Sequence, residues 1–278
     1  MLVAFDRLLP TAVLSCALLA GAALRSAAAQ EPPVPPAAAA AFDHSVYDDL
    51  LKQHVRGDRV DYAALKAARA PLDDYCDRLA RLAKDDFAQL SRDEQMALWI
   101  NAYNALTLRS IVDAYPIKGS AFSRFPRSSI RQIDDVWNKK HKVAAQDVSL
   151  DDIEHQILRK QWRDPRVHAA VNCASIGCPP LRAEAFTGAR LDGQLDDQMR
   201  RFVADPTRNR IDPKAGKVEL SAIFDWFGED FGTKKDERAL LTFLAQHGPA
   251  DWKPFLAAFD PDDIDFLDYD WTLNDVGR

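Results

Sequence analysis

The sequence predicts an α+β fold, a mostly helical single domain around a long central helix with a small sheet. Three observations predict it. Apolar residues recur at helical spacing through most of the chain beyond residue 43. The segment 91–115 is apolar on two opposite sides, as a central helix is. Residues 166–173 and 269–273 alternate in the manner of strands. A chain of 278 residues suits one large domain, and its 47% hydrophobic content supplies a core. No repeat recurs at a fixed period, which excludes a solenoid or a propeller. The 36 basic residues are outnumbered by 42 acidic ones, for a formal charge of −6. With no long Lys/Arg block, that balance excludes a generic nucleic-acid binder.

At the N-terminus, residues 8–24 form an apolar stretch that ends in the small-residue signal Ala27-x-Ala29. Residues 1–29 are therefore expected to be a cleaved export signal, and the protein to be periplasmic. Pro10 and a run barely of spanning length disfavour an uncleaved anchor. Apolar sequence continuing past Cys16 disfavours a lipid anchor, so no membrane span is expected in the mature chain. Residues 30–42, rich in proline and alanine, read as a tether, which leaves 43–278 as one domain. Three cysteines remain after cleavage, Cys76, Cys173 and Cys178, too few for a disulfide-dense scaffold.

The elements follow in order. Val46, Leu50, Leu51 and Val55 lie on one stripe of a first helix, which Gly57 and Asp58 break before a short extended link at 59–62. Pro71 opens a second helix whose face carries Leu72, Tyr75, Cys76, Leu79 and Leu82. Cys76 is then a small buried hydrophobe. Ser91 and Glu94 make a capping box for the central helix, and Pro116 stops it. Met96, Trp99, Ile100, Tyr103 and Leu106 cover one side of it; Ala97, Ala105 and Leu108 share the other with Asn101 and Asn104. Buried asparagines need partners, either a neighbouring loop that they clamp or a substrate that they bind. Ser149-Leu-Asp-Asp caps a helix that turns Ile153, Ile157 and Leu158 inward. Asp164-Pro165 makes a turn before the strand 166–173. A helix at 191–203, a Ser221-capped aromatic segment and a helix at 239–246 ended by Gly248 complete the pattern. The last strand, 269–273, sets Tyr269, Trp271 and Leu273 against an acidic face.

Most reactive side chains fall between Asp164 and Arg182. On a strand, Arg166, His168, Ala170 and Asn172 share one face, and Cys173 points with the apolar residues, which makes it inert. Cys178 follows the turn Ser175-Ile-Gly177 and precedes Pro179-Pro180. Unpaired backbone N–H groups there would stabilise its thiolate. Cys178 is then a nucleophile, with His168 or His155 as base and Glu154 or Asp270 as the carboxylate that orients the imidazole. Asn101, Asn104, Asn172, Ser175 and Arg182 would supply polar contacts to a substrate. Two other readings of the cysteines stay open: a disulfide between Cys173 and Cys178, or two free structural thiols. No zinc spacing, EF-hand loop, glycine-rich phosphate loop or Gly-x-Ser-x-Gly elbow is present, so neither a metal nor a cofactor is expected.

Four segments occur together in order: Trp99-Ile-Asn-Ala-Tyr-Asn104-Ala-Leu-Thr-Leu, Ser149-Leu-Asp-Asp-Ile-Glu-His155-Gln-Ile-Leu-Arg159, the run from His168 to Arg182, and Tyr269-Asp-Trp-Thr-Leu-Asn274. In this the chain resembles the domain-of-unknown-function family 547, DUF547, found in exported bacterial proteins and, fused to other segments, in plants. The resemblance extends from about residue 43 to the end. It implies an α+β domain, brings no established reaction, and singles out Asn101, Asn104, Glu154, His155, His168 and Arg182.

Two expectations of different class result. One is an exported hydrolase or acyl-transferase, like a thiol protease or transglutaminase, acting on an amide or ester of a small molecule or peptide. The other is a non-catalytic periplasmic binding or scaffold domain stapled by a Cys173/Cys178 disulfide.

Overall fold

A computed structural model describes residues 41–277. The expected export signal, and the tether up to residue 40, lie outside the described residues. Helix α1 (Ser45–His54) buries Tyr47, Leu50 and Leu51. Gly57, at φ +58°, turns the chain so that β1 (Val55–Arg56) pairs antiparallel with β2 (Arg59–Val60). The Asp61 carboxylate accepts the Ala64 N–H and starts α2 (Tyr62–Ala67). Helix α3 (Ala70–Arg81), with Pro71 in its first turn, buries Leu72, Tyr75, Cys76 and Leu79, and α4 (Lys84–Gln89) follows.

Helix α5 (Arg92–Ala114) is the expected central helix. Ser91 Oγ accepts the Glu94 N–H while the Glu94 carboxylate accepts the Ser91 N–H, the reciprocal capping box. Every residue from Met96 to Leu108 is buried, so α5 has no solvent face along that stretch. A hairpin of β3 (His141–Val143) and β4 (Gln146–Val148) docks on α3 through the Ala144 N–H and the Leu79 carbonyl, 2.9 Å apart.

Ser149 then caps the next helix, and Ile153, Ile157 and Leu158 point inward as their spacing predicts. Its body, Asp152–Leu158, is a π-helix that tightens into α6 (Arg159–Gln161). Such i→i+5 segments are rare and concentrate at functional sites. The predicted strand 166–173 is instead a helical turn, α7 (Val167–Ala170). Asp164 Oδ1 accepts the Arg166 N–H and starts the turn, and Ala169 and Ala170 favour continuing it. No partner strand is at hand to reward the alternation, so the local preference wins.

Helix α8 (Leu191–Ala204) leads to β5 (Arg210–Asp212) and β6 (Lys217–Ser221). After α9 (Ala222–Trp226), α10 (Ala239–His247) and α11 (Lys253–Ala258), the chain enters β7 (Ile264–Leu267). Strand β6 is central, antiparallel to β5 and parallel to β7, with Leu220 opposite Phe266. The strand therefore comes earlier than the predicted 269–273, a stretch that instead joins the 175–177 turn through the Leu273–Ser175 bridge and neighbouring backbone bonds. The predicted alternation survives in its burial, because Leu273 is buried while Asp268 and Asp270 are exposed.

This is the mostly helical α+β fold expected. One apolar cluster surrounds α5, and a second fills the space between α8, the sheet and α10. Helix α7 lies at their seam, with Ala169 in the second cluster and Ala170 in the first. Among the described residues, no helix is long and apolar enough to cross a membrane.

Candidate thiol and imidazole site

The loop after α7 is held from three directions. From α5, Asn104 Nδ2 donates to the Ala170 carbonyl at 2.9 Å, and Asn104 Oδ1 accepts the Asn172 N–H at 2.8 Å. Asn172 repeats the device inside the loop, donating to the Pro179 carbonyl at 2.8 Å and accepting the Ala174 N–H at 2.9 Å. From the far side, Arg208 donates to the carbonyls of Cys178 and Ile176 at 2.7 and 2.9 Å. Over the top, the N–H groups of Ile176 and Gly177 donate to the carbonyls of Thr272 and Asp270. Gly177 fits closely there, since a Cβ would lie 3.0 Å from the Asp270 nitrogen and the Tyr269 ring and one of them would have to give way. These bonds hold Ala174 at φ +58°, a left-handed conformation that costs a residue with a Cβ about 1–2 kcal/mol.

The loop places Cys173 Sγ 3.1 Å from Cys178 Sγ, 3.2 Å from Ser175 Oγ and 3.0 Å from Tyr269 Oη. Ser175 Oγ in turn donates to Tyr269 Oη at 2.9 Å. Both cysteines are free thiols in this structure. Hydrogen bonding from Cys178 lowers the Cys173 pKa in spite of burial, and Ser175 and Tyr269 add to the effect. Burial drives the Cys178 thiol well above its ordinary value, as it does the Tyr269 hydroxyl. Ionisation in this cluster is therefore favoured at Cys173 over Cys178, with Cys178 and Tyr269 placed to donate, although the Cys173 N–H also donates to Cys178 Sγ at 3.0 Å. The sequence-based expectation had Cys178 as the reactive thiol and Cys173 inert; the pKa directions favour Cys173 instead. That expectation rested on the missing strand: with 166–173 helical and then looped, its alternation no longer points Cys173 into the core.

His168, on α7, lines the same cavity as the thiols. Its Nε2 lies 2.7 Å from Asp230 Oδ2, and its ring stacks on Phe227 with centroids 4.0 Å apart. Asp230 also accepts from Arg159 Nε at 2.5 Å. Against its burial, the bonds from His168 and Arg159 hold the Asp230 carboxyl at about 2. Asp230 thus fixes the proton on Nε2 and leaves Nδ1 for chemistry, 4.0 Å from Glu154 Oε1. Glu154 and His155 both come from the π-helix, and His155 Nδ1 accepts from Arg159 at 3.2 Å. Cys173, Cys178, His168, His155 and Glu154 all line one cavity of about 430 Å³, large enough for a small ligand.

Residues 87–203 match the family model described as a protein of unknown function, DUF547. The chain carries a DUF547 domain. No curated protein and no solved structure matched the chain. The DUF547 segment runs from within α4 to near the end of α8, so it supplies α5, the π-helix, α7 and both cysteines. Asp230 and Tyr269 come from beyond it.

Several of the expected substrate-binding residues are engaged elsewhere. Asn101 clamps both backbone groups of Phe186, at 2.8 and 3.0 Å, much as Asn104 clamps the cysteine loop. Arg182 spends its guanidinium on Glu184 and Asp197. Asn101, Asn104, Asn172 and Arg182 are therefore scaffold for the DUF547 site, outside the cavity lining, and only Ser175 reaches a reactive atom. Asp270 is exposed and accepts the Thr272 N–H at 2.8 Å, so it orients no imidazole. Sequence reasoning missed Asp230 and Arg208, and it placed Tyr269 in a motif without a role at the site. The one available signal for Asp230 was an acidic pair, Glu229-Asp230, set inside an otherwise aromatic segment.

Proposed function

We propose that this cavity is the active site of a cysteine- and histidine-dependent hydrolase or acyl-transferase, thiol-protease-like or transglutaminase-like in logic, acting on an amide or ester. The observation that carries the reading is Cys173. Its sulfur faces the cavity, bonds to Cys178, Ser175 and Tyr269, and shares that cavity with an imidazole oriented by a carboxylate. In this scheme the Cys173 proton passes to His168 Nδ1, and the sulfur attacks the carbonyl carbon. Collapse of the tetrahedral adduct expels the amine or alcohol, which takes the proton from His168. Water, or an acceptor amine or alcohol, then attacks the thioester, gives its proton to His168 and frees the sulfur. Cys178 and Tyr269 hold the sulfur as donors, and Asp230 keeps His168 in one tautomer. With residues 1–29 expected to be an export signal, the proposed chemistry would take place in the periplasm.

A second reading rests on the separation of the two sulfurs, 3.1 Å, which leaves them ready to be joined by an oxidant. The domain would then be a non-catalytic binding module with a disulfide staple. One experiment separates the two: alkylation of unreduced protein across pH, mapped by peptide mass spectrometry. The hydrolase reading expects Cys173 to react first, at pH values below about 8.5, the ordinary thiol pKa. It also expects Cys173→Ala to abolish turnover on an amide and ester panel. A cross-linked Cys173/Cys178 peptide would defeat it in favour of the staple, and full turnover in Cys173→Ala would exclude Cys173 as the nucleophile.

A further inference from the structure

Residues 116–133 lie between the central helix and the β3–β4 hairpin, and none of the residues above that carry the proposed chemistry lies among them. This stretch holds Lys118, Arg124, Arg127 and Arg131 and no carboxylate, in a chain whose formal charge is −6. All four cations are exposed, and among the described residues none of them forms an ion pair. At the tip, Phe122 is 101% exposed, more than any other large apolar side chain described.

The loop is built to hold that shape. Its ends are tied by the Gly119 N–H donating to the Arg127 carbonyl at 2.8 Å, and by Arg127 Nε donating back to the Gly119 carbonyl at 3.1 Å. The Gln132 amide fills its middle, donating to the carbonyls of Ser120 and Phe125 and accepting the Ser120 N–H. A side chain on Gly119 would collide with Gln132, at 2.4 Å. Ser120 and Ser123 accept the N–H groups of Phe122 and Phe125 and set the tip. At the base, the guanidinium groups of Arg124 and Arg131 lie 4.8 and 4.6 Å from the Phe125 ring. Phe125 meets Trp271 edge-on, and Trp271 stacks with the half-exposed Trp226. Arg131, Trp226 and Trp271 also line the cavity.

A fully exposed phenylalanine on a tied loop, ringed by unpaired cations, has the chemistry of a membrane-surface anchor. The apolar tip enters the acyl boundary, the cations meet lipid phosphates, and tryptophans sit at the headgroup level. We propose that residues 116–133 dock this protein on an anionic lipid surface, with the cavity mouth beside the contact. Charge complementarity alone would suit a soluble polyanion equally; Phe122 favours lipid, because a polyanion offers an exposed apolar ring nothing to enter.

The test is co-sedimentation of the full chain with vesicles of phosphatidylcholine alone or equimolar with phosphatidylglycerol. The apolar stretch at residues 8–24 would bind both kinds alike, so the difference between them is the readout. Binding is expected to be strongly favoured on the anionic vesicles. The pair Arg124→Gln and Arg127→Gln should weaken it about thirtyfold, at about fivefold for each cation near such a surface. Phe122→Ser should weaken it about tenfold while leaving the fold, by circular dichroism, unchanged. Equal binding to both vesicles overturns the proposal. So does undiminished anionic binding by Phe122→Ser, which would make the loop a polyanion site.

Discussion

The two walls of the cavity are built by different physics. The thiol wall is a loop fixed by uncharged hydrogen bonds from Asn104 and Asn172, with Arg208 alone contributing a charge. The imidazole wall is an electrostatic chain in which Arg159 bridges Glu229 and Asp230, and Asp230 holds His168. Asn104 and Asn172 are buried, whereas Asp230 and Glu229 keep 24% and 45% of their side-chain exposure. Buried amide clamps are insensitive to pH and salt, and half-exposed ion pairs are not. The thiol wall should therefore set stability, and the imidazole wall should set how the site responds to pH.

The largest expected effect is on the first wall. Asn104→Ala removes two buried bonds and leaves the Asn172 N–H and the Ala170 carbonyl without partners. At about 1–3 kcal/mol for each stranded group, the loss is about 3 kcal/mol. Thermal unfolding should fall by about 6–12 °C for a domain of this size. Cys173 should lose its distinction from Cys178 in alkylation, because Ala174 is then free to leave its left-handed conformation. An unchanged melting temperature would break the contrast at its stronger end.

Asp230→Asn addresses the second wall, and pH decides its effect. The folded-state carboxyl is held at about 2, below its unfolded value near 4. A depressed carboxyl stabilises the fold above its unfolded value, and that contribution disappears as pH falls through about 2. The shift corresponds to about 2 kcal/mol, reduced to about 1 kcal/mol for partial exposure. Urea unfolding at pH 7 should show that deficit in the variant, and wild type and variant should converge as pH drops from about 4 toward 2. A deficit of equal size at both ends of that range would mean that His168 is held by shape alone.

These contrasts also show what the sequence could disclose. Helix α5 was readable at both ends and on both sides, because a capping box and a 3.6-residue period are local signals. The inward positions of the helix after Ser149 were readable too. Its π geometry was not, since Ile153, Ile157 and Leu158 fit either winding. Helix α7 was misread because the alternation of residues 166–173 resembles a strand, and only the absence of a pairing strand decides the matter. That misreading also underlay the expectation that Cys173 points into the core. Asp230 reaches His168 across 62 positions, and no periodicity links residues so far apart. The candidate site was thus legible as a set of side-chain types, while its partnerships were set by loops and by segments distant in sequence.

Within the thiol wall the expected effects are smaller and concern reactivity. Cys178→Ala removes a donor from the Cys173 thiolate, a charge-assisted bond of about 1.5–3 kcal/mol. Its full loss would slow alkylation of Cys173 at pH 7 by tenfold or more, and the Cys173 titration should move up accordingly. Cys76 gives the internal reference. Burial pushes its pKa to about 12, so it should stay unmodified until the protein unfolds in any variant.

Tyr269→Phe should do least, for a reason visible in the geometry. Tyr269 Oη and Ser175 Oγ lie 3.0 and 3.2 Å from the same sulfur and 2.9 Å from each other. While tyrosine is present, the serine proton is divided between its oxygen and Cys173; without it, the serine hydroxyl turns fully to Cys173. The single variant should therefore slow alkylation by only about threefold, and Ser175→Ala by a similar factor, since Tyr269 still donates. The double variant leaves Cys178 as the sole side-chain donor among these three and should slow the reaction by more than the product of the single effects. Groups in one hydrogen-bonded network couple in this way, commonly by 0.5–3 kcal/mol. Simple multiplication of the two factors would mean that serine and tyrosine act on the sulfur independently, and that the donors around Cys173 are not a network.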